Sequence, residues 1–158
     1  MKNKVLLEAV DKFGTPLYIY DSNMIKSQYN RLKQSFKDVK NLQINYAVKA
    51  LSNISILKYM INMGSGIDAV SIQEVILALK AGVNPKKILY TPNGVSIEEI
   101  KEVSELGVSI NIDNLEVLEQ FGNLNPDIPV CIRINPHIMA GGNSKISVGH
   151  IDSKFGIS

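Results

Sequence analysis

Four side chains of this chain carry chemistry that their settings make worth asking about: Lys49 in NYAVKA, Asp68 and Glu74 in GIDAVSIQE, and Arg133 in VCIRINP. Lys49 closes a run of strand-forming residues. An amine so placed can attack an aldehyde and form a Schiff base when free of its proton, or it can simply carry its charge out to solvent on its aliphatic stem. Asp68 ends a second such run, where a carboxylate could face a cationic imine or ammonium; it could equally cap the helix that follows, although Ser71 is also placed to do so. Glu74 lies one to two turns into that helix, and its other reading is a solvated face or a capping-box partner of Ser71. Arg133 interrupts an apolar run, where a guanidinium is costly unless it is paired or bound to an anion. The two histidines, His137 and His150, are too few and too far apart to suggest a metal site. MAGGNS (139–144) reads as a flexible loop rather than a phosphate cradle, and Asp152, Ser153 and Lys154 in HIDSKFG read as a turn before another helix.

The elements that must position these groups repeat. An extended lead-in, PLYIYD (16–21), ends on Asp21 and Ser22, both good N-caps for a helix over Asn23 to Lys37. After it come LQINYAVK as a strand, a helix from Ile54 to Met63 stopped by Gly64, GIDAVS as a strand and a helix from Ile72 to Ala81 stopped by Gly82. The strand ILYTP, a helix from Ile97 to Leu106 before Gly107, the strand SINID, a helix from Leu115 to Phe121 before Gly122, and the strand VCIRINP follow. The residues that close the strands, Lys49, Asp68, Thr91, Asp113 and Asn135, are spaced by 19, 23, 22 and 22 positions. A strand of five residues spans about 16 Å and a helix of ten about 15 Å, so each unit returns the chain to the same edge and the strands run parallel.

Runs as apolar as Ile88-Leu89-Tyr90 and Val130-Cys131-Ile132 suit a sheet covered by helices, with Cys131 as a small core residue. The even beat, without a G-x-G-x-x-G in the first turn or a G-x-x-x-x-G-K anywhere, favours a partial (β/α)8 TIM barrel of about five parallel βα units over an open doubly wound sheet. In a barrel the strand ends form the catalytic face. Three further strands would be needed for closure, so the chain is expected to be a fragment, residues 1–158 forming the N-terminal part of a barrel domain.

Composition narrows the partners. With 45% hydrophobic and 20% charged residues the chain is of the globular class, and 17 basic against 15 acidic residues, interspersed, argue against nucleic acid or an anionic membrane surface. No run approaches the roughly 18 to 20 apolar residues of a membrane span, and Val5-Leu6-Leu7 is too short for a secretory core. A single cysteine excludes a disulfide framework and points to a reducing, cytoplasmic setting.

The motifs FGTPLYIYD (13–21), NYAVKA (45–50), GIDAVSIQE (66–74), AGVNPKKILYTPNG (81–94), IRINP (132–136) and SKFGI (153–157) occur in the order, and over nearly the length, in which the chain resembles the N-terminal part of the diaminopimelate decarboxylases. That family lies within the alanine-racemase-like class of enzymes that use pyridoxal 5'-phosphate. YAVKA and GIDAVS mark only the wider class, which includes decarboxylases of ornithine, arginine and carboxynorspermidine; FGTPLYIYD, and RINP with SKFGI, favour the diaminopimelate branch. The resemblance implies that Lys49 holds the cofactor covalently, that Asp68 and Glu74 lie near it, that Arg133 reaches its phenolic oxygen side and that Lys154 belongs to a region near a dimer interface. It implies decarboxylation of the small amino acid meso-2,6-diaminoheptanedioate to L-lysine by a homodimer, with no metal. Two positions depart from the family's pattern: Leu51 stands where an asparagine is usual, and Val148-Gly149-His150 where a Thr-Gly pair is usual. The histidine that stacks on the cofactor, the glycine-rich phosphate-binding segments, the acidic partner of the pyridine nitrogen and a C-terminal β domain are expected beyond Ser158, so the chain alone is expected to be inactive. A barrel that binds the cofactor without catalysis is the alternative of another class, against which the PLYIYD lead-in argues.

Overall fold

The computed structural model describes residues 3–138, 149 and 153–158. The chain forms two compact units, Met1–Leu42 and Gln43–Ser158. In the first, helix α1 (Asn3–Phe13) precedes the cis Thr15–Pro16 peptide, and PLYIYD is irregular rather than part of a sheet. Helix α2 (Ser22–Ser35) follows. Asp21 caps it, its Oδ1 accepting from the N–H groups of Asn23 at 3.0 Å and Met24 at 3.2 Å. Those hydrogen bonds hold the Asp21 carboxyl below its ordinary pKa, because they favour the charged form. Ser22, the other expected cap, is the first helical residue. Helix α1 goes beyond the short apolar run Val5-Leu6-Leu7 that the sequence presents: Leu6, Val10 and Phe13 are spaced as a helical stripe.

The second unit follows the expected beat. Strands β1 (Asn45–Ala47), β2 (Gly66–Ala69), β3 (Ile88–Tyr90), β4 (Ser109–Ile112) and β5 (Val130–Ile132) form one parallel sheet in sequence order. Helices α3 (Ile54–Asn62), α4 (Ile72–Lys80), α5 (Ile97–Glu105) and α6 (Leu115–Leu124) connect them. Each connecting helix starts on a short polar side chain that accepts from a backbone N–H of the first turn: Asn53, Ser71, Ser96 and Asn114. Gly64 and Gly82 stop α3 and α4 at φ of 97° and 94°, a conformation that a Cβ disfavours. Gly122 does not stop α6 as its type suggested. The helix runs through it to Leu124, and the Asn125 N–H closes the end on the Phe121 carbonyl.

Right-handed crossovers between neighbouring parallel strands put these helices on one face of the sheet. Side chains alternate along each strand, so Ile67, Ala69, Ile88, Tyr90, Ile110 and Ile112 point to the helices and are buried with Leu57, Val75, Val103 and Phe121. The opposite face carries Asp68, Leu89 and Asn111, each only half-buried. Cys131 pairs in register with Asn111 on that face and is exposed, contrary to the expected core position, because no described residue covers it. The helices thus cover one face of the strands, as in the partial barrel that the repeat implies.

One polar tie fastens the helical layer to the strands. The buried Tyr90 hydroxyl donates to Glu99 Oε1 at 2.6 Å, and the same oxygen accepts the Ile72 N–H at 3.2 Å, joining β3, α4 and α5. Burial, and then the hydrogen bond and charge of Glu99, raise the Tyr90 pKa above its ordinary 10.0. The folded state therefore keeps a proton that the unfolded chain loses, so this contribution is complete below pH 10 and declines as the pH rises beyond it. Tyr90→Phe is expected to cost about 1 to 2 kcal/mol at neutral pH. It is also expected to flatten the loss of stability above about pH 10; urea unfolding at neutral and alkaline pH checks both, and an alkaline slope equal to the parent's refutes the linkage.

Candidate functional site

The parallel sheet delivers all five strand-closing residues to its C-terminal edge, since every strand enters from the opposite side. Lys49 sits not in β1 but in the one-turn 3-10 helix Val48–Ala50 that follows it. Val48 is fully buried and anchors the turn, while Lys49 is exposed, so the amine stands free at the strand mouth. The Tyr46 hydroxyl donates to the Leu51 carbonyl at 3.1 Å and the Leu51 N–H closes the turn on Val48. A leucine suffices at 51 because it is the backbone that these bonds use.

Asp68 lies beside this turn. It is the register partner of Ala47, one interstrand step away and two residues before Lys49. Thr91 follows β3, and its hydroxyl donates to Asp68 Oδ1 at 2.6 Å, while its N–H extends the ladder to the Ala69 carbonyl at 2.7 Å. Two residues on, the Asn93 amide donates to Asp113 Oδ2 at 2.7 Å and to the Lys154 carbonyl at 3.4 Å. Thr91 and Asn93 thus tie down carboxylates at the mouths of the strands on either side. In the sequence Thr91 marks only a strand end and Asn93 has no role; the TPN triplet directly after an apolar strand is the signal that points to both.

Glu74 is engaged locally. Its Oε2 accepts the Val70 N–H at 2.8 Å, and its own N–H donates to Ser71 Oγ at 3.3 Å, a reciprocal cap of α4 shifted one residue from the usual box. Arg133 lies one residue past β5, bonded through its N–H to the Ile112 carbonyl at 2.8 Å. It is three interstrand steps from Asp68, roughly 14 Å measured along the sheet. Its guanidinium stacks over the Phe155 ring at 4.5 Å, and the Lys154 ammonium lies 5.1 Å from the same ring. No carboxylate lies within ion-pair distance of Arg133 among the described residues, which leaves the guanidinium available to an anion.

The segment after Ser153 forms bends rather than a helix. Its Ile157 bridges in parallel to Ile134, with the Asn135 N–H donating to the Ile157 carbonyl and the Ile157 N–H to the Arg133 carbonyl, each at 2.8 Å. Asn135 is buried, and its Oδ1 accepts the His137 N–H at 3.0 Å. A cavity of about 290 Å3 opens between the loops after β3 and β4, with Asn93, Asp113, Asn114 and Lys154 among its walls. Of the remaining sequence candidates, MAGGNS, Val148, His150 and Asp152 lie outside the described residues. No cluster of three metal-ligating side chains occurs among the described residues, and none of their helices is long and apolar enough to cross a membrane.

An accessible amine, a neighbouring carboxylate and a guanidinium with no carboxylate partner among the described residues, all at one sheet edge, form a donor set that suits an aldehyde-bearing, anionic cofactor. Residues 22–158 match the family model of the pyridoxal-dependent decarboxylase, pyridoxal binding domain. The chain is 37% identical over 153 residues to the diaminopimelate decarboxylase of Methanothermobacter thermautotrophicus, covering 96% of this chain and 36% of that protein. It is 40% identical over 155 residues to the Helicobacter pylori (strain J99) diaminopimelate decarboxylase, covering 95% of this chain and 38% of that protein. The crystal structure of the H. pylori enzyme complexed with L-lysine superimposes with a TM-score of 0.85 at 36% identity, covering 96% of this chain and 39% of that one. The chain thus spans well under half the length of the curated relatives it matches.

Proposed function

The chain belongs to the pyridoxal-dependent decarboxylases, as a pyridoxal-binding domain, and from that premise we propose that it is the N-terminal part of the barrel of a diaminopimelate decarboxylase. The reaction proposed for the whole protein is conversion of meso-2,6-diaminoheptanedioate to L-lysine and carbon dioxide. The observation that carries this reading is the placement of Lys49 in an exposed turn at the C-terminal edge of a parallel sheet, one strand from Asp68. The diaminopimelate branch is supported by 37% and 40% identity, over nearly the whole chain, to two enzymes of that name. A homodimer in the cytoplasm is part of the same proposal and rests on the motif resemblance.

Pyridoxal phosphate, when bound, supplies an aldehyde for an amine and a ring that takes up the electron pair left as carbon dioxide departs. The protein's part is to hold and orient. Lys49 would offer the covalent attachment point, and as a free amine it would be placed to carry a proton near the reacting carbon. Asp68 places negative charge where a cationic nitrogen forms, and Arg133 offers a guanidinium to an anionic oxygen. Glu74 is proposed as a neighbour of the cofactor through the strand mouth it braces: by accepting the Val70 N–H, it fixes the turn that follows β2, two residues after Asp68.

The full-length gene product is expected to release carbon dioxide from meso-2,6-diaminoheptanedioate with L-lysine as product, and to sediment at twice its protomer mass. Turnover of ornithine or arginine in preference to diaminoheptanedioate would move the protein to the neighbouring branch. A monomer of full activity would remove the dimer from the proposal.

A further inference from the structure

We propose that Thr91 is a positioning residue, which holds the Asp68 carboxylate in the one orientation useful to a cofactor at the Lys49 mouth. The inference rests on the reading of Asp68 as a neighbour of that cofactor. Asp68 points to the face of the sheet away from the helices and is half-buried, so its side chain has room to rotate unless something restrains it. The restraint is the Thr91 hydroxyl, 2.6 Å from Oδ1. That hydroxyl is itself fixed, because the Thr91 N–H is locked to the Ala69 carbonyl at 2.7 Å and a β-branched side chain has few rotamers. With Oδ1 held from the β3 side, Oδ2 is left without a hydrogen-bond partner among the described residues.

The same loop repeats the arrangement one strand further along. Asn93 donates to Asp113 Oδ2 at 2.7 Å, so a single TPN segment orients the mouth carboxylates of both β2 and β4. A carboxylate that merely capped the following helix would be bonded to that helix's N–H groups, but in α4 this work is done by Ser71 and Glu74. The bond from Thr91 therefore leaves Asp68 oriented and uncommitted to the helix.

The test titrates full-length apoprotein with pyridoxal 5'-phosphate and follows absorbance, for the parent, Thr91→Val, Thr91→Ser, Asp68→Ala and the double variant Thr91→Val/Asp68→Ala. Thr91→Val keeps the shape and loses the donor, and is expected to raise the cofactor Kd about tenfold, while Thr91→Ser stays within about twofold of the parent. In the Asp68→Ala background, Thr91→Val is expected to change the Kd by less than about twofold, since there is no carboxylate left to orient. Urea midpoints measured alongside separate folding from positioning: a Thr91→Val protein that is less stable but binds as the parent does overturns the proposal. So does an equal loss of binding with and without Asp68. Parent-like binding by Asp68→Ala alone overturns the underlying assignment of Asp68 rather than the Thr91 bond.

Discussion

Lys49→Ala is expected to abolish the absorbance band of a lysine-linked cofactor in the full-length protein and to lower carbon dioxide release by at least about 1,000-fold. The size follows from the role: without an amine there is no covalent attachment, and the proton carried by that amine has no substitute at the same place. The structure makes the experiment clean. Lys49 is exposed and its turn is anchored by buried Val48 and by the Tyr46 and Leu51 bonds, none of which uses the lysine side chain. Thermal stability of the apoprotein should therefore match the parent's. An unchanged band in the variant would sink the assignment of Lys49.

Gly66→Ala is expected to cost about 1 to 3 kcal/mol of stability through a single added carbon. Gly66 opens β2 and is buried between β1 and β3. A Cβ there would lie 2.8 Å from the Lys87 carbonyl oxygen and would press on the side chains of Asn45 and Gln43. The two side chains can swing aside, but the carbonyl belongs to the turn that leads into β3 and cannot move without disturbing the sheet. Total stability of a domain is about 5 to 15 kcal/mol, so a measurable shift of the urea midpoint follows. A midpoint equal to the parent's would show that the β1–β2–β3 register is looser than the contacts indicate.

The beat of strand, helix and turn was legible because it is written in local chemistry. Asn53, Ser71, Ser96 and Asn114 stand directly before apolar helical stripes, and Gly64 and Gly82 directly after them. Gly122 shows the limit of that signal: a glycine tolerated within α6 looks the same in the sequence as one that ends a helix. Cys131 shows another, because an apolar run does not say which of its residues face the helices.

Among the site residues, Lys49 and Arg133 were conspicuous as charges at the ends of apolar strands, and their delivery to one edge follows from parallel strands alone. Glu74 carried two readings at the sequence level, and its bond to the Val70 N–H makes the capping one real without touching Asp68. The TPN triplet marks Thr91 and Asn93 as polar groups at a strand mouth, but the carboxylates they meet, Asp68 and Asp113, and the Tyr90–Glu99–Ile72 tie have no sequence signature.

Residue order was therefore enough to establish a repeating parallel βα architecture and the edge that collects its strand-closing residues, Lys49 among them, since periodicity and capping depend on near neighbours. Folding in three dimensions decided which groups restrain one another across that edge. Thr91 and Asp68 are 23 residues apart, and whether a hydroxyl meets a carboxylate over that separation depends on strand register and on a few tenths of an ångström, which no local pattern encodes.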